Sequence, residues 1–183
     1  MSFEDLIVKY KNGNKKAIIQ LYRLVSKPVF NTCLRMLSNV QDAEETMQDA
    51  VLKAFDRINS FNGNADDFIA FVKKIAINRC IDNYRRNKNT PFFTELNDNV
   101  DNIQDDDSGF YDDCSLEMLM SNINKLPSGY KMVLNLHLIE DIDFEDIAIM
   151  MNLKSSTVRS QYVRAKCKLC EMLKKEMNYE NRG

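Results

Sequence analysis

DFIAFVKKIAINRCIDNYRRNK, residues 67–88, is the stretch on which the reading of this chain turns. Phe68, Phe71, Val72, Ile75, Ala76, Cys80 and Ile81 recur at steps of three and four, which predicts an α-helix with one buried stripe. Its other face is cationic. Lys73, Lys74, Arg79, Arg85, Arg86 and Lys88 stand against Asp82 as the one acid after Asp67, and Asn78 and Asn83 lie among them. An anchored helix with a cationic, asparagine-bearing outer face suits a polyanion whose bases are also touched. A solvated surface helix with ordinary lysines fits the same residues about equally well, so the flanking sequence has to decide.

Immediately upstream, NSFNGNADD (residues 59–67) is a loop by its Asn, Gly, Ser and Asp content, with Phe61 as its lone aromatic. SNVQDAEETMQDAVLKAFDRI (residues 38–58) predicts a helix capped by Asp42, with Ala43, Met47, Ala50, Val51, Ala54, Phe55 and Ile58 on its buried side. Glu45, Gln48, Asp49 and Leu52 share a second line, because steps of three, four and seven bring helical side chains together. That line is acidic with one apolar member. It is either a solvated charged face or a docking surface for a basic partner. Nearer the start, Leu6, Ile7, Ala17, Ile18, Leu21, Tyr22, Val25, Val29, Cys33 and Leu37 fit two helices parted by the turn signal Asn12 to Asn14, with Pro28 as a kink or restart in the second.

Downstream the composition changes. Between Asn89 and Ser115 the acids Glu95, Asp98, Asp101, Asp105, Asp106, Asp107, Asp112 and Asp113 occur with no Lys or Arg. Such a segment buries too little apolar surface to offset its ordering entropy and is expected to be a flexible acidic linker between two domains. Helices are then expected at Leu116 to Lys125, Ser128 to Ile139, Phe144 to Met151 and Ser156 to Met177. DFEDIAIMMNLKSSTVRSQYVRAKCKL (residues 143–169) has the layout of a helix-turn-helix. Ile147, Ala148 and Met151 form the inner face of the first helix, and Val158, Tyr162, Ala165 and Leu169 that of the second. Small Ala148 permits close approach, and Asn152 can take the left-handed conformation of the turn. Ser155, Ser156, Arg159, Ser160, Val163 and Arg164 are then presented outward, where a recognition helix meets base edges and phosphates.

The totals agree with a small helical protein. A chain of 183 residues with 44% hydrophobic and 28% charged residues, Gly 5 and Pro 3, holds one ordinary domain or two small ones and is poor in loop formers. Its formal charge of -2 speaks for nucleic-acid binding only because the basic residues are segregated along the chain. No leader pattern opens it and no apolar run reaches a membrane-spanning length, so a cytoplasmic location is expected. Cys33, Cys80, Cys114, Cys167 and Cys170 read as free thiols; the Cys167/Cys170 pair has no second pair or nearby His, and neither a metal nor a cofactor is expected. His137 lacks an evident catalytic partner and reads as structural or solvated.

Two basic helices separated by an acidic linker are harder to obtain by accident than a helix-turn-helix pattern alone. Over nearly its whole length the chain resembles the extracytoplasmic-function (group 4) sigma factors of the sigma-70 family of bacterial RNA polymerase. DAEETMQDAVLKAF looks like the polymerase-clamp helix of that family, FIAFVKKIAINRCIDNYRR like its promoter -10 helix, and INKLP onward like the start of its -35 domain. The resemblance implies an all-α fold of two small helical domains: residues 1–88 as sigma region 2, 89–115 as the acidic linker, and 116–178 as the region 4 helix-turn-helix. It implies that Glu45, Gln48 and Asp49, with Leu52 on the same line, meet the coiled coil of the polymerase β′ subunit. The loop Phe61, Asn62, Gly63, Asn64 and Ala65 would capture a flipped base beside Asn78, Arg79 and Asp82. Arg159, Ser160, Val163 and Arg164 would read the -35 element. A contact with the β flap and an anti-sigma factor are further implied partners. Phe71 stands where the family commonly has Trp, Lys154 where it usually has the Ser that caps the recognition helix, and Ser156 where Gly is frequent. With Lys154 in place, Ser155 is expected to cap instead.

On this reading the protein is an initiation factor with no catalytic chemistry and no small-molecule substrate. Phosphate contacts by Lys73, Lys74, Arg85, Arg86 and Lys166 supply salt-dependent affinity, and each good base contact adds about 1–3 kcal/mol of discrimination. The alternative is a stand-alone helix-turn-helix regulator that never joins polymerase. No P-loop, nucleophile elbow or His-based dyad supports an enzyme.

Overall fold

In the computed structural model, which describes residues 2–86 and 115–180 with side chains to Met177, most helices begin where the sequence supplies a side-chain acceptor. Ser2 Oγ accepts from the Asp5 amide, and Asp5 returns a bond to the Ser2 amide, closing a capping box at the head of α1 (Phe3–Lys11). Asn14 accepts from the amides of Lys16 and Ala17 to open α2 (Lys15–Leu37). This helix continues across Pro28, so it does not restart there. Pro28 removes one backbone bond, but Val25 and Val29 on either side are fully buried and hold the turn in place.

Ser38, left-handed at φ 56°, ends α2, and Asn39 caps α3 (Val40–Asp56) by accepting from the Asp42 amide at 3.0 Å. The cap expected at Asp42 therefore belongs to Asn39, with Asp42 as the third residue of the first turn. A short 3-10 turn, Ile58–Ser60, leads to α4 (Ala65–Arg86). Alanines 43, 50 and 54 line the inner face of α3, where fully buried Leu21, Val25 and Cys33 of α2 and Phe68, Val72, Ala76 and Cys80 of α4 also lie. Because α4 packs against both α2 and α3, its buried arc takes in Ile77 and Ile81, while Phe71 and Ile75, expected inside, sit half-buried at its edge.

The described helices from residue 116 onward belong to a second unit; the chain divides into Met1–Arg86 and Asn87–Gly183. The linker expected at 89–115 lies outside the described residues apart from Ser115, which accepts from the Met118 amide at the head of α5 (Leu116–Lys125). α6 (Ser128–Leu134) continues into a π turn over Asn135–Ile139, closed by the Glu140 amide donating to the Asn135 carbonyl. Asp143 caps α7 (Phe144–Met151), and Asn152, at φ 54° and ψ 51°, makes the left-handed turn into α8 (Ser155–Glu180). Ile123, Leu126, Leu134, Ala165, Leu169 and Leu173 form the core here, with Ile147, Ala148, Met151 and Val158 buried under the α7–α8 turn. Among the described residues no strand occurs, and no helix is long and apolar enough to cross a membrane.

Candidate nucleic-acid and polymerase interfaces

On α3 the second line of side chains faces solvent. Glu45, Gln48 and Leu52 are exposed, Leu52 at 63%, which leaves a leucine uncovered among polar neighbours. Asp49 is different. Its Oδ2 accepts from Arg79 Nη1 at 2.6 Å across the α3–α4 contact, with both side chains partly exposed. Arg79, expected on the outer face of α4, is thus half-buried, and its Nε is shielded from solvent with no hydrogen-bond partner among the described residues.

The loop before α4 is held at both ends. Phe61 is not the isolated aromatic its loop suggested: its ring lies 5.2 Å from that of Phe68, 5.6 Å from Phe71 and 6.3 Å from Phe3. Asn64 Oδ1 accepts from the amides of Asp66 and Asp67, and Asp67 Oδ2 accepts from the Asn64 amide, so Asn64 is the cap of α4 and Ala65 its first residue. Between these anchors Asn62 and Gly63 are exposed. Gly63 sits at φ +155°, and a Cβ there would fall 2.9 Å from Asp67 Cβ and 3.0 Å from Phe61 Cζ, so only glycine fits without displacement. Along α4, Lys74, Asn78, Asp82, Arg85 and Arg86 are exposed and Lys73 is half-buried; Arg85 lies 3.9 Å from Asp82.

In the second unit α8 begins at Ser155, with Lys154 in the preceding cap position, where its side chain has no acceptor to offer. Ser155 does not take over as cap. It is the first helical residue, and its hydroxyl donates to Glu145 Oε1 at 3.1 Å. The same oxygen accepts from Arg159 Nη2 at 2.5 Å, and the Arg159 guanidinium stands 5.4 Å from the centre of the Phe144 ring. The Arg159 bond is the main reason the Glu145 carboxyl is held below the usual glutamate range. Phe144 is stacked on His137 at 4.1 Å, with Tyr162 edge-on to both, and His137 Nδ1 lies 2.9 Å from the Ile142 carbonyl. The lone histidine is therefore a structural member of this cluster. Ser156 and Arg159 are exposed, whereas Ser160, Val163, Arg164 and Lys166 are half-buried; Lys166 Nζ stands 5.6 Å from the centre of the Tyr162 ring. Tyr162, expected inside, is half-buried and packs against the core of this unit, and Gln161 beside it is buried as well. The Glu145 contact had no sequence signal beyond an acid in a helix's first turn.

Residues 21–90 match the family model "Sigma-70 region 2", and residues 116–169 match "Sigma-70, region 4". The ECF RNA polymerase sigma factor SigW of Bacillus subtilis (strain 168) is 27% identical over 191 residues, covering 97% of each chain. The ECF RNA polymerase sigma-E factor of Haemophilus influenzae is 29% identical over 174 residues, covering 89% of this chain and 90% of its own. Among solved structures, the sigma factor RpoE of Bartonella quintana shares the fold with a TM-score of 0.52 at 22% identity, over 87% of this chain and 98% of that one. The chain belongs to the sigma-70 family of RNA polymerase sigma factors, in its extracytoplasmic-function subfamily. As such it directs polymerase to specific promoters, and the stand-alone regulator is not favoured.

Proposed function

We propose that the two units divide promoter recognition between them, with residues 1–88 engaging core polymerase and the -10 strand, 89–115 serving as an acidic linker, and 116–178 engaging the -35 duplex. The carrying observation is that α4 and α8 each bury an apolar stripe and turn cationic side chains outward, α8 as the second helix of a helix-turn-helix. Exposed Glu45, Gln48 and Leu52, with Asp49 beside them, supply the acidic face for the β′ coiled coil. The loop Phe61 to Ala65 takes the everted base, at an unstacking cost of a few kcal/mol. Asn78, Arg79 and Asp82 line its approach, and Lys73, Lys74, Arg85 and Arg86 hold phosphates. Ser155, Ser156, Arg159, Ser160, Val163, Arg164 and Lys166 meet the -35 major groove.

The second unit also contacts the β flap. The protein acts without catalytic chemistry of its own, in the cytoplasm, associated with the nucleoid when bound to polymerase. An anti-sigma factor holds it in reserve, at the inner membrane where that partner is membrane-bound; RpoE of Bartonella quintana is found in complex with the anti-sigma factor NepR. The test is transcription in vitro from a promoter-containing genomic template with purified core polymerase, with and without this protein. Start sites that depend on the protein are expected. Their absence, together with failure to co-elute with core, would overturn the reading.

A further inference from the structure

Glu145 stands where a carboxylate is least welcome on a DNA-binding surface, beside residues that meet phosphates. Asp143 already caps α7 and Asp146 already places an acid in its first turn, so the helix dipole of α7 does not require Glu145 as well. Glu145 instead reaches across the turn to α8. Its Oε1 accepts from both Ser155 Oγ and Arg159 Nη2, which places negative charge at the head of a helix whose own cap position holds a lysine. Arg159 is thereby bounded on two sides, by the Glu145 carboxylate at Nη2 and by the Phe144 ring, whose centre lies 5.4 Å from the guanidinium carbon. Phe144 is in turn fixed by the stack on His137 and the edge of Tyr162.

We infer that Glu145 is a positioning residue for -35 readout: it sets the guanidinium of Arg159 before DNA arrives and so governs discrimination at the base pair that Arg159 meets. The inference rests on the proposed -35 role of α8. An arginine loses extensive rotamer freedom when it is ordered, and ordering it in advance removes that cost from the binding step. The same carboxylate repels the DNA backbone. Glu145 therefore trades overall affinity for selectivity, and its removal moves the two quantities in opposite directions.

The experiment uses holoenzyme formed from the full chain and core polymerase, on a promoter whose start site it sets, with a panel of duplexes each changed at one -35 base pair. Glu145→Ala and Arg159→Ala are compared singly and together. A bidentate arginine contact discriminates by roughly 5- to 150-fold. Because the Arg159–Glu145 pair is exposed on both sides, in Glu145→Ala this is expected to fall by up to about fivefold at one base pair, while affinity for the changed duplexes rises, and in the Arg159→Ala background the substitution adds no further loss of discrimination. Glu145→Gln, which keeps an acceptor oxygen, should restore part of the discrimination. An equal fall in affinity for all duplexes, or an undiminished effect on discrimination without Arg159, would overturn the inference. If Arg159→Ala itself leaves -35 discrimination intact, the -35 role of Arg159 falls and the inference with it, whereas loss of -35 discrimination in none of the α8 variants Arg159→Ala, Ser160→Ala and Arg164→Ala would remove the -35 assignment of α8 itself.

Discussion

Arg79 Nη1 donates to Asp49 Oδ2 at 2.6 Å, which bonds the helix proposed to meet the -10 strand directly to the helix proposed to meet polymerase. With 28% and 43% of their side chains exposed, the pair is a surface contact worth about 0–1 kcal/mol to folding, and the shielded Nε of Arg79 offsets part of that. The pair is expected to couple the two faces: a partner that draws Asp49 away leaves the Arg79 guanidinium, charged in either case, without that carboxylate and freer to move. We expect Asp49→Ala and Arg79→Ala to be non-additive by about 0.5–3 kcal/mol in affinity for a single-stranded -10 oligonucleotide within holoenzyme. Additivity to within about 0.5 kcal/mol in that double-mutant cycle would show that the two faces act separately.

Gly63 is expected to be intolerant of any side chain. A residue forced to φ +155° is strained by about 1–3 kcal/mol, and here the new Cβ also meets Asp67 Cβ and Phe61 Cζ. Gly63→Ala should shift the loop between Phe61 and the α4 cap, lowering promoter opening, read by permanganate reactivity of the -10 strand. Asn62→Ala, at an exposed position, should leave thermal stability within about 0.5 kcal/mol and serves as the comparison.

Leu52 separates docking from folding. It is 63% exposed, so Leu52→Glu should change stability by no more than about 0.5 kcal/mol yet weaken core polymerase binding by about tenfold or more, as an apolar contact surrounded by acids is lost. Glu45→Lys should act in the same direction through charge. Titration of core polymerase with labelled protein measures both; unchanged affinity in the two variants would remove α3 from the interface.

The ends of α5 and α7 could be read from the sequence because the signals are local: Ser115 and Asp143 bond amides three residues on, and Asn152 accepts the left-handed turn by itself. Helical class followed from the apolar steps, since those steps are what the two cores bury. Some departures are local, such as the α3 cap at Asn39 and the start of α8 at Ser155, and the others are tertiary. Nothing near Phe61 announces the ring of Phe3, and nothing near Asp49 announces Arg79, because their separation in sequence carries no periodicity. At Pro28 the helix continues where a restart was one of the two expectations, with Val25 and Val29 buried beside it. Contacts such as Glu145 to Arg159 depend on how two helices cross, which the spacing within either helix does not fix.

The cysteines among the described residues, which exclude Cys114, divide into two reactivity classes. Cys33 and Cys80 are fully buried, and the Cys80 thiol is pushed up, first by its hydrogen bond with Cys33 and then by burial. Since the thiolate is the reacting species, native protein should label at half-buried Cys167 and Cys170 well before Cys33 or Cys80. Timed alkylation with peptide mapping reads the order, and denaturation should abolish it. Rapid native labelling at Cys80 would mean that the α2–α4 contact opens readily.

Phosphate and base contacts on α4 should be separable by salt. Lys74 and Asn78 are both exposed on the same helix, but only the lysine can release a counterion from the backbone. Each phosphate contact to a single strand contributes about 0.7 to the slope of log affinity against log salt. Lys74→Ala should therefore flatten the slope for a -10 oligonucleotide by about 0.7 and weaken all sequences alike. Asn78→Ala should leave the slope unchanged and relax preference at one base, by about 1–3 kcal/mol if the contact is a good one. The two variants measured in holoenzyme across a salt series decide the assignment: a slope change in Asn78→Ala, or a change of preference in Lys74→Ala, would overturn it.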